Sequence, residues 1–209
     1  MNEFTIVKGY VSAAATLIQT VIEIILIPKQ MVLDDNDEQL PLTGAYETLS
    51  KISSVSSLLS NGLTMVYYYD LYYEDIIKSN NKVVKWAIFG LVAAHLAAIG
   101  ILFFLLLKQN PKQEKKVMNF LSGYLMPPIG LLSGIAAVVL AHKSAKTTTE
   151  KYVMAYFDLT FGIAGMWKLA PVKMLVLKAQ PIGPLAVGVV LALKAGATVY
   201  KVQFIGDES

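Results

Sequence analysis

Cysteine and arginine are both absent from this chain of 209 residues, and histidine occurs only twice. Without cysteine there is no disulfide, thiolate metal site, thiol nucleophile or cysteine-held iron–sulfur cluster to consider. Without arginine there is no planar guanidinium that grips a phosphate or a guanine through two hydrogen bonds, so the sequence predicts no nucleic-acid partner. The net charge of +3 is too small to indicate a polyanionic partner.

Charged residues of any kind are also scarce, at 16% of the chain against 55% hydrophobic residues, and the mean hydropathy is +0.54. The 22 residues between Lys85 and Lys108 carry no formal charge. As a helix they would extend about 33 Å, close to the thickness of the hydrocarbon core of a bilayer. Trp86 and the flanking lysines are typical anchors at the membrane–water interface. The sequence therefore predicts a multi-pass integral membrane protein whose first partner is the lipid bilayer.

Apolar segments recur along the chain between short polar connections. They predict an all-α fold, a single transmembrane helical bundle of residues 1–209 with five to six spans. The range reflects the second segment, which is rich in serine and either spans or lies along the membrane surface. The first segment is expected to be a retained span rather than a cleaved signal, because Glu3 precedes its first lysine. The segments are residues 9–27, 48–69, 86–107, 117–141, 152–170 and 182–200.

Two of these segments carry a continuous polar stripe at helical spacing. In the first segment the stripe consists of Ser12, Thr16, Gln19, Thr20 and Glu23. In the second it consists of Ser50, Ser53, Ser54, Ser57, Asn61 and Thr64. Since such side chains do not favour contact with lipid, we expect both stripes to face protein or water. Hydrogen-bonded helix packing and a hydrated path between the two helices both fit the pattern.

Ionisable side chains inside the apolar segments are the candidate functional residues. Each costs about 2.5–3.5 kcal/mol at membrane depth, so each is expected to have a partner or a role in transport. A pair between Lys194 and either Glu23 or Asp158 would satisfy both charges. The polar candidates for a transport path are Gln19, Glu23, His95, Asp158 and Lys194.

Small residues at four-residue spacing indicate faces where helices approach closely, within this chain or against another subunit. Self-association or partner membrane subunits are therefore expected. The helix-packing candidates are Gly90, Ala94, Ala98, Gly130, Gly134, Gly188, Ala192 and Gly196.

No enzyme signature is found. His95 lies near the middle of its segment and His142 at the end of another, so a two-histidine metal or haem site within one chain is not expected. The sequence GLLSG at residues 130–134 has one residue too many for the GxSG motif of rhomboid proteases. No cofactor is indicated, and no metal ligand set is predicted.

Three functions remain open from the sequence. The first is a non-catalytic subunit of a larger membrane complex, favoured by the small-residue faces. The second is a small channel or transporter for an ion, a proton or a solute, using the intramembrane carboxylates. The third is an α-helical pore-forming protein, which would keep one apolar hairpin inside a jacket of amphipathic helices.

Overall fold

The secondary structure is helical throughout the described part of the chain. A computed structural model describes residues 3–32, 42–71, 82–108, 116–117, 119–144, 148–203 and 205. In chain order its longer helices are α1 (Glu3–Gln30), α2 (Ala45–Leu71), α3 (Lys82–Lys108), α4 (Met126–Lys143), α5 (Thr149–Gly165), α6 (Ala170–Lys178) and α7 (Ile182–Val202). A π-helical turn at Leu121–Leu125 leads into α4, and a 3₁₀ turn at Met166–Lys168 follows α5. The all-α prediction is confirmed.

Fewer helices are long and apolar enough to span a membrane than the sequence predicts. Among the described residues, three are long and apolar enough to cross a membrane: α1, the run Leu121–Lys143, and α7. A fourth is added if α5 and α6, which meet at a bend of 77°, form one broken span. In α3 the apolar stretch whose side chains are described is the shorter Lys85–Ala98. Of the five to six spans predicted, length and apolarity alone thus support three or four within the described residues.

Helix α1 packs along its length against α2 on one side and α7 on the other, and both neighbours run antiparallel to it. Toward α2, Thr5 contacts Asp70 at one end, and Glu23 contacts Ser53 at the other. Toward α7, the Tyr10 hydroxyl donates to the carbonyl of Ile205 at 2.7 Å. At the opposite end of that interface Gly188 faces the side chain of Ile27. These contacts set the register of α2 and of α7 against α1.

Helices α4 and α5 make a close backbone contact through glycines that leave no room for a side chain. A Cβ on Gly134 would lie 2.6 Å from the Leu159 Cα, and one on Gly162 would lie 2.8 Å from the Gly130 carbonyl oxygen. Such close approach by small residues is the usual way that helices pack within a membrane, where no hydrophobic force drives them together.

The outer surface of the bundle is apolar. Trp86 on α3 is 73% exposed, and Leu185 and Leu193 on α7 are 69% and 64% exposed. Large apolar side chains are exposed on α1 as well, at Phe4 and Ile18. A soluble domain seldom shows such extensive apolar surface, whereas lipid chains cover it at no cost.

Candidate functional site

The polar stripes of α1 and α2 face each other. Ser12 Oγ donates to the Ser60 carbonyl at 3.2 Å and lies 2.6 Å from Thr64 Oγ1. The hydroxyls of Thr16 and Ser60 are also in hydrogen-bond contact. Thr20, fully buried, donates to the carbonyl of Thr16 in its own helix. The expectation that the stripes face protein rather than lipid is met by these contacts.

The same stripes form one wall of a cavity of about 160 Å³ inside the bundle. That volume is enough for roughly ten water molecules. Residues of the π-helical turn, α4, α5, the 3₁₀ turn and α7 form the other walls. The charged residues of its described lining are Glu23, Asp158, Lys168, Lys194 and Lys201. Its hydroxyl and amide side chains include Ser12, Thr16, Gln19, Ser53, Ser54, Ser57, Ser60, Asn61, Thr64, Ser122, Ser133 and Thr198. A polar interior thus lies within an apolar exterior.

Glu23 marks one end of this cavity and is 5% exposed. Its Oε1 accepts from Gln19 Nε2 at 2.7 Å and from Ser53 Oγ at 3.1 Å, and it also pairs with the Lys168 ammonium. The second oxygen, Oε2, is buried and has no hydrogen-bond partner in the described part of the protein. All described hydrogen bonds of this carboxylate are therefore made by Oε1, and Oε2 has none.

Asp158 lies further along the bundle and pairs with Lys201, whose Nζ is 2.8 Å from Asp158 Oδ2. The aspartate stands on α5 where Gly134 of α4 approaches, so the tight glycine contact sets its position. Its side chain is 22% exposed and that of Lys201 is 13% exposed. This pair is therefore partly shielded from the surroundings by the helices.

Lys194 lies between these two ion pairs. It interacts electrostatically with Glu23, Asp158 and Lys168, but no described residue forms a direct ion pair with it. Lys201 follows seven residues later on the same face of α7, about 10 Å along the helix. The expected direct pair of Lys194 with Glu23 or Asp158 is thus not formed, because Lys168 and Lys201 occupy the two carboxylates.

His95 lies on α3 and is not among the residues that line the cavity. It is 2% exposed, and its Nδ1 is 2.8 Å from the carbonyl oxygen of Leu91, one turn earlier in the helix. Its Nε2 is buried and has no hydrogen-bond partner in the segments that the structure describes.

His142 is exposed at the end of α4, where its Nε2 is 2.9 Å from the Tyr156 hydroxyl.

The small residues expected at helix contacts fall into two groups. Gly130 and Gly134 lie at the α4–α5 contact, Ala98 is 1% exposed, and Gly188 approaches Ile27. By contrast, a Cβ on Gly90 or Gly196 would meet no described atom within 4 Å. Ala94 is half-buried, and Ala192 is exposed on α7.

Lys168 and Lys201 are site residues that the sequence does not single out. Lys201 has a detectable signal, because it lies seven residues after Lys194 and so shares its helix face. Lys168 has no such signal, since it stands in a 3₁₀ turn shortly before three prolines and looks like an interfacial lysine. Within the described residues no group of three or more histidine and acidic side chains is placed to hold a metal ion.

Comparison with known proteins adds nothing to this geometry. No family model, curated protein or solved structure matches the chain. Hydroxyls, amides and ammonium groups arranged along an internal cavity can replace the hydration shell of a small polar solute, whereas no described constellation supplies an activated nucleophile.

Proposed function

We propose that this protein is a multi-pass membrane protein that carries or conducts a small ion or polar solute through the cavity between α1, α2, α5 and α7. One observation carries the proposal: five charged side chains and a hydroxyl-rich wall line a cavity inside a bundle whose outer surface is apolar. Ionisable groups at membrane depth are costly, and they commonly mark the path of a transported solute.

The proposal includes α2 and α3 among the spans. Helix α2 has 27 residues and runs antiparallel beside α1, with contacts from Thr5–Asp70 to Glu23–Ser53. It therefore crosses the same thickness as α1. Its low hydropathy comes from the serine stripe, which faces α1 and the cavity rather than lipid. With α3, which is also 27 residues long, and the broken α5–α6 pair, the bundle has six membrane-crossing segments.

The cavity is long enough to form part of a path across the membrane. Along α1 its lining runs from Ser12 to Glu23. Eleven helical steps correspond to about 16 Å, roughly half of the hydrocarbon thickness. Beyond Ser12 the polar contacts continue to Lys8, which pairs with Asp70 and lies where α1 begins. The polar interior thus extends toward one end of the bundle.

A second candidate function, a non-catalytic subunit of a membrane complex, is favoured by a different observation. A Cβ on Gly90 of α3 or Gly196 of α7 would have no described atom within 4 Å, and Ala192 is exposed beside Gly196. Such positions suit the close approach of a helix from another chain. Native mass spectrometry after gentle detergent extraction separates the two functions. Detection of partner subunits at fixed stoichiometry supports the role as a subunit of a membrane complex.

Flux through reconstituted protein tests the first proposal. Purified protein in liposomes is expected to release K⁺, Cl⁻ or glycerol faster than protein-free liposomes. Ser57→Phe, which places a large ring in the cavity, should reduce that release by at least about tenfold. Leu59→Phe is the matched control, because Leu59 is on the same helix but exposed on the outer surface. Equal flux from both variants, each folded by circular dichroism, would contradict the proposal.

A further inference from the structure

The charges that line the cavity do not balance. Glu23 and Asp158 supply two negative charges, and Lys168, Lys194 and Lys201 supply three positive charges among the described lining residues. Two of the lysines are neutralised by direct ion pairs with the carboxylates. Lys194 is left as the excess cation, and its attraction to the two carboxylates is offset in part by Lys168. An ammonium group in this position favours an added negative charge.

The cavity also offers neutral hydrogen-bonding groups that no described residue uses. Asn61 and Ser57 line the cavity and make no side-chain hydrogen bond with any described residue. Together with Lys194 they present an amide, a hydroxyl and an ammonium donor that protein acceptors leave unused. On the acceptor side the described lining has one buried oxygen without a partner, Oε2 of Glu23. Asn61 and Ser57 can donate as well as accept, so they can serve an anion, but the charge of Lys194 is what favours one.

We propose that the cavity binds a small monovalent anion of the halide class, with Lys194 as its main charge partner. The proposal rests on the proposed transport function and adds the identity of the solute. Glu23 Oε2, which has no hydrogen-bond partner among the described residues, is the internal competitor for the electrostatic attraction of Lys194. The anion displaces this interaction and draws further hydrogen bonds from the neutral donors.

Chloride is the probe, and the sign of a diffusion potential is the first readout. In liposomes loaded with concentrated KCl and diluted into a less concentrated KCl solution, an anion path makes the interior positive because Cl⁻ leaves. A cation path makes the interior negative. The wild-type protein and Lys194→Arg, which keeps the charge, should both give an interior-positive potential. Lys194→Gln should abolish it, and Lys143→Gln, at an exposed lysine outside the cavity, should not.

Chloride binding to detergent-solubilised protein is the second readout, and it does not depend on transport. Replacing gluconate by chloride at constant ionic strength should raise the melting temperature of the wild type and of Lys143→Gln. Lys194→Gln should weaken chloride binding by at least about tenfold, because it removes the unit charge in direct contact with the anion.

The two readouts separate the two proposals. An interior-negative potential with no stabilisation by chloride overturns the anion site and leaves transport in place. Stabilisation by chloride that requires Lys194, without any ionic flux, supports the anion site and contradicts the transport function. Chloride stabilisation that is unchanged in Lys194→Gln overturns the assignment of this lysine.

Discussion

Lys168 and Glu23 are 145 positions apart in the chain and form an ion pair that joins the turn after α5 to the Glu23–Ser53 end of the α1–α2 interface. The pair lies at the end of a cavity whose α1–α2 wall is rich in hydroxyls. It also releases Lys194 from the role of counter-ion to Glu23. The chemistry of the cavity follows from this one relationship.

Breaking the Lys168–Glu23 pair should destabilise the protein. Glu23→Gln leaves the Lys168 ammonium without its carboxylate, and the Glu23 side chain is 6% exposed. Removing one partner of a buried pair costs about 3–5 kcal/mol, and we expect about 1–3 kcal/mol because the Lys168 side chain is one-quarter exposed. Thermal unfolding in detergent measures the effect. The exposed pair Glu47–Lys51 supplies the control, and Glu47→Gln should be nearly neutral. Equal melting temperatures for the two variants would argue against a structural role for the pair.

The same Glu23→Gln substitution should strengthen chloride binding while it weakens the fold. It removes a negative charge and the open Oε2 that competes for Lys194, so an anion meets less competition. Chloride titrations followed by melting temperature should therefore show a larger stabilisation than in the wild type. If Glu23 instead binds a transported cation, the variant will lose both flux and any stabilisation by ions.

The α4–α5 contact should tolerate no side chain at Gly134. A Cβ there would lie 2.6 Å from a backbone atom of Leu159, so Gly134→Ala must push the two helices apart. We expect a loss of about 2 kcal/mol or more, because backbone atoms cannot move aside as a side chain can. Gly90→Ala is the control, since open space surrounds that position and alanine favours the helix by about 1 kcal/mol. A neutral Gly134→Ala would show that the contact is looser than the structure indicates.

His95 should be dispensable for folding. Its Nε2 is buried without a hydrogen-bond partner among the described residues, and only Nδ1 is bonded, to the Leu91 carbonyl. Replacing an unsatisfied buried group by an apolar one is close to neutral, so His95→Leu should change stability by no more than about 1 kcal/mol. The melting temperature checks this. A large loss, or loss of a co-purified chromophore, would show that His95 has a ligand or partner supplied by another molecule.

The sequence predicts the helices and the polar interface better than the number of spans. The stripes of α1 and α2 follow from residue spacing alone, which is why Ser12 and Thr16 are correctly expected to face another helix. The same spacing hides the proposed membrane position of α2, because inward serines lower its hydropathy as much as outward ones would. A helix whose polar face is covered by its neighbour cannot be distinguished by composition from one that lies on the surface.

The ion pairs could not be predicted, because they depend on the register between helices that are far apart in sequence. Glu23, Asp158 and Lys194 all line the cavity. Of the lysines that pair with the two carboxylates, Lys201 shares a helix face with Lys194, whereas nothing in the sequence distinguishes Lys168 from a lysine at the membrane surface. Among the small residues, spacing also could not tell Gly134, against α5, from Gly196, which faces open space.

The most direct test of the central claim, that water and small solutes enter the cavity, uses the absence of cysteine from the chain. Single cysteines at Ser57 and Leu59 are compared for reaction with a charged, membrane-impermeant thiol reagent in sealed vesicles. Only the thiolate reacts, and it forms in water and not in lipid. The account predicts rapid modification of Ser57→Cys, in the cavity, and none of Leu59→Cys, on the outer surface of the same helix. If Ser57→Cys is as unreactive as Leu59→Cys from both sides of the membrane, the cavity is closed to solutes and the transport function is wrong.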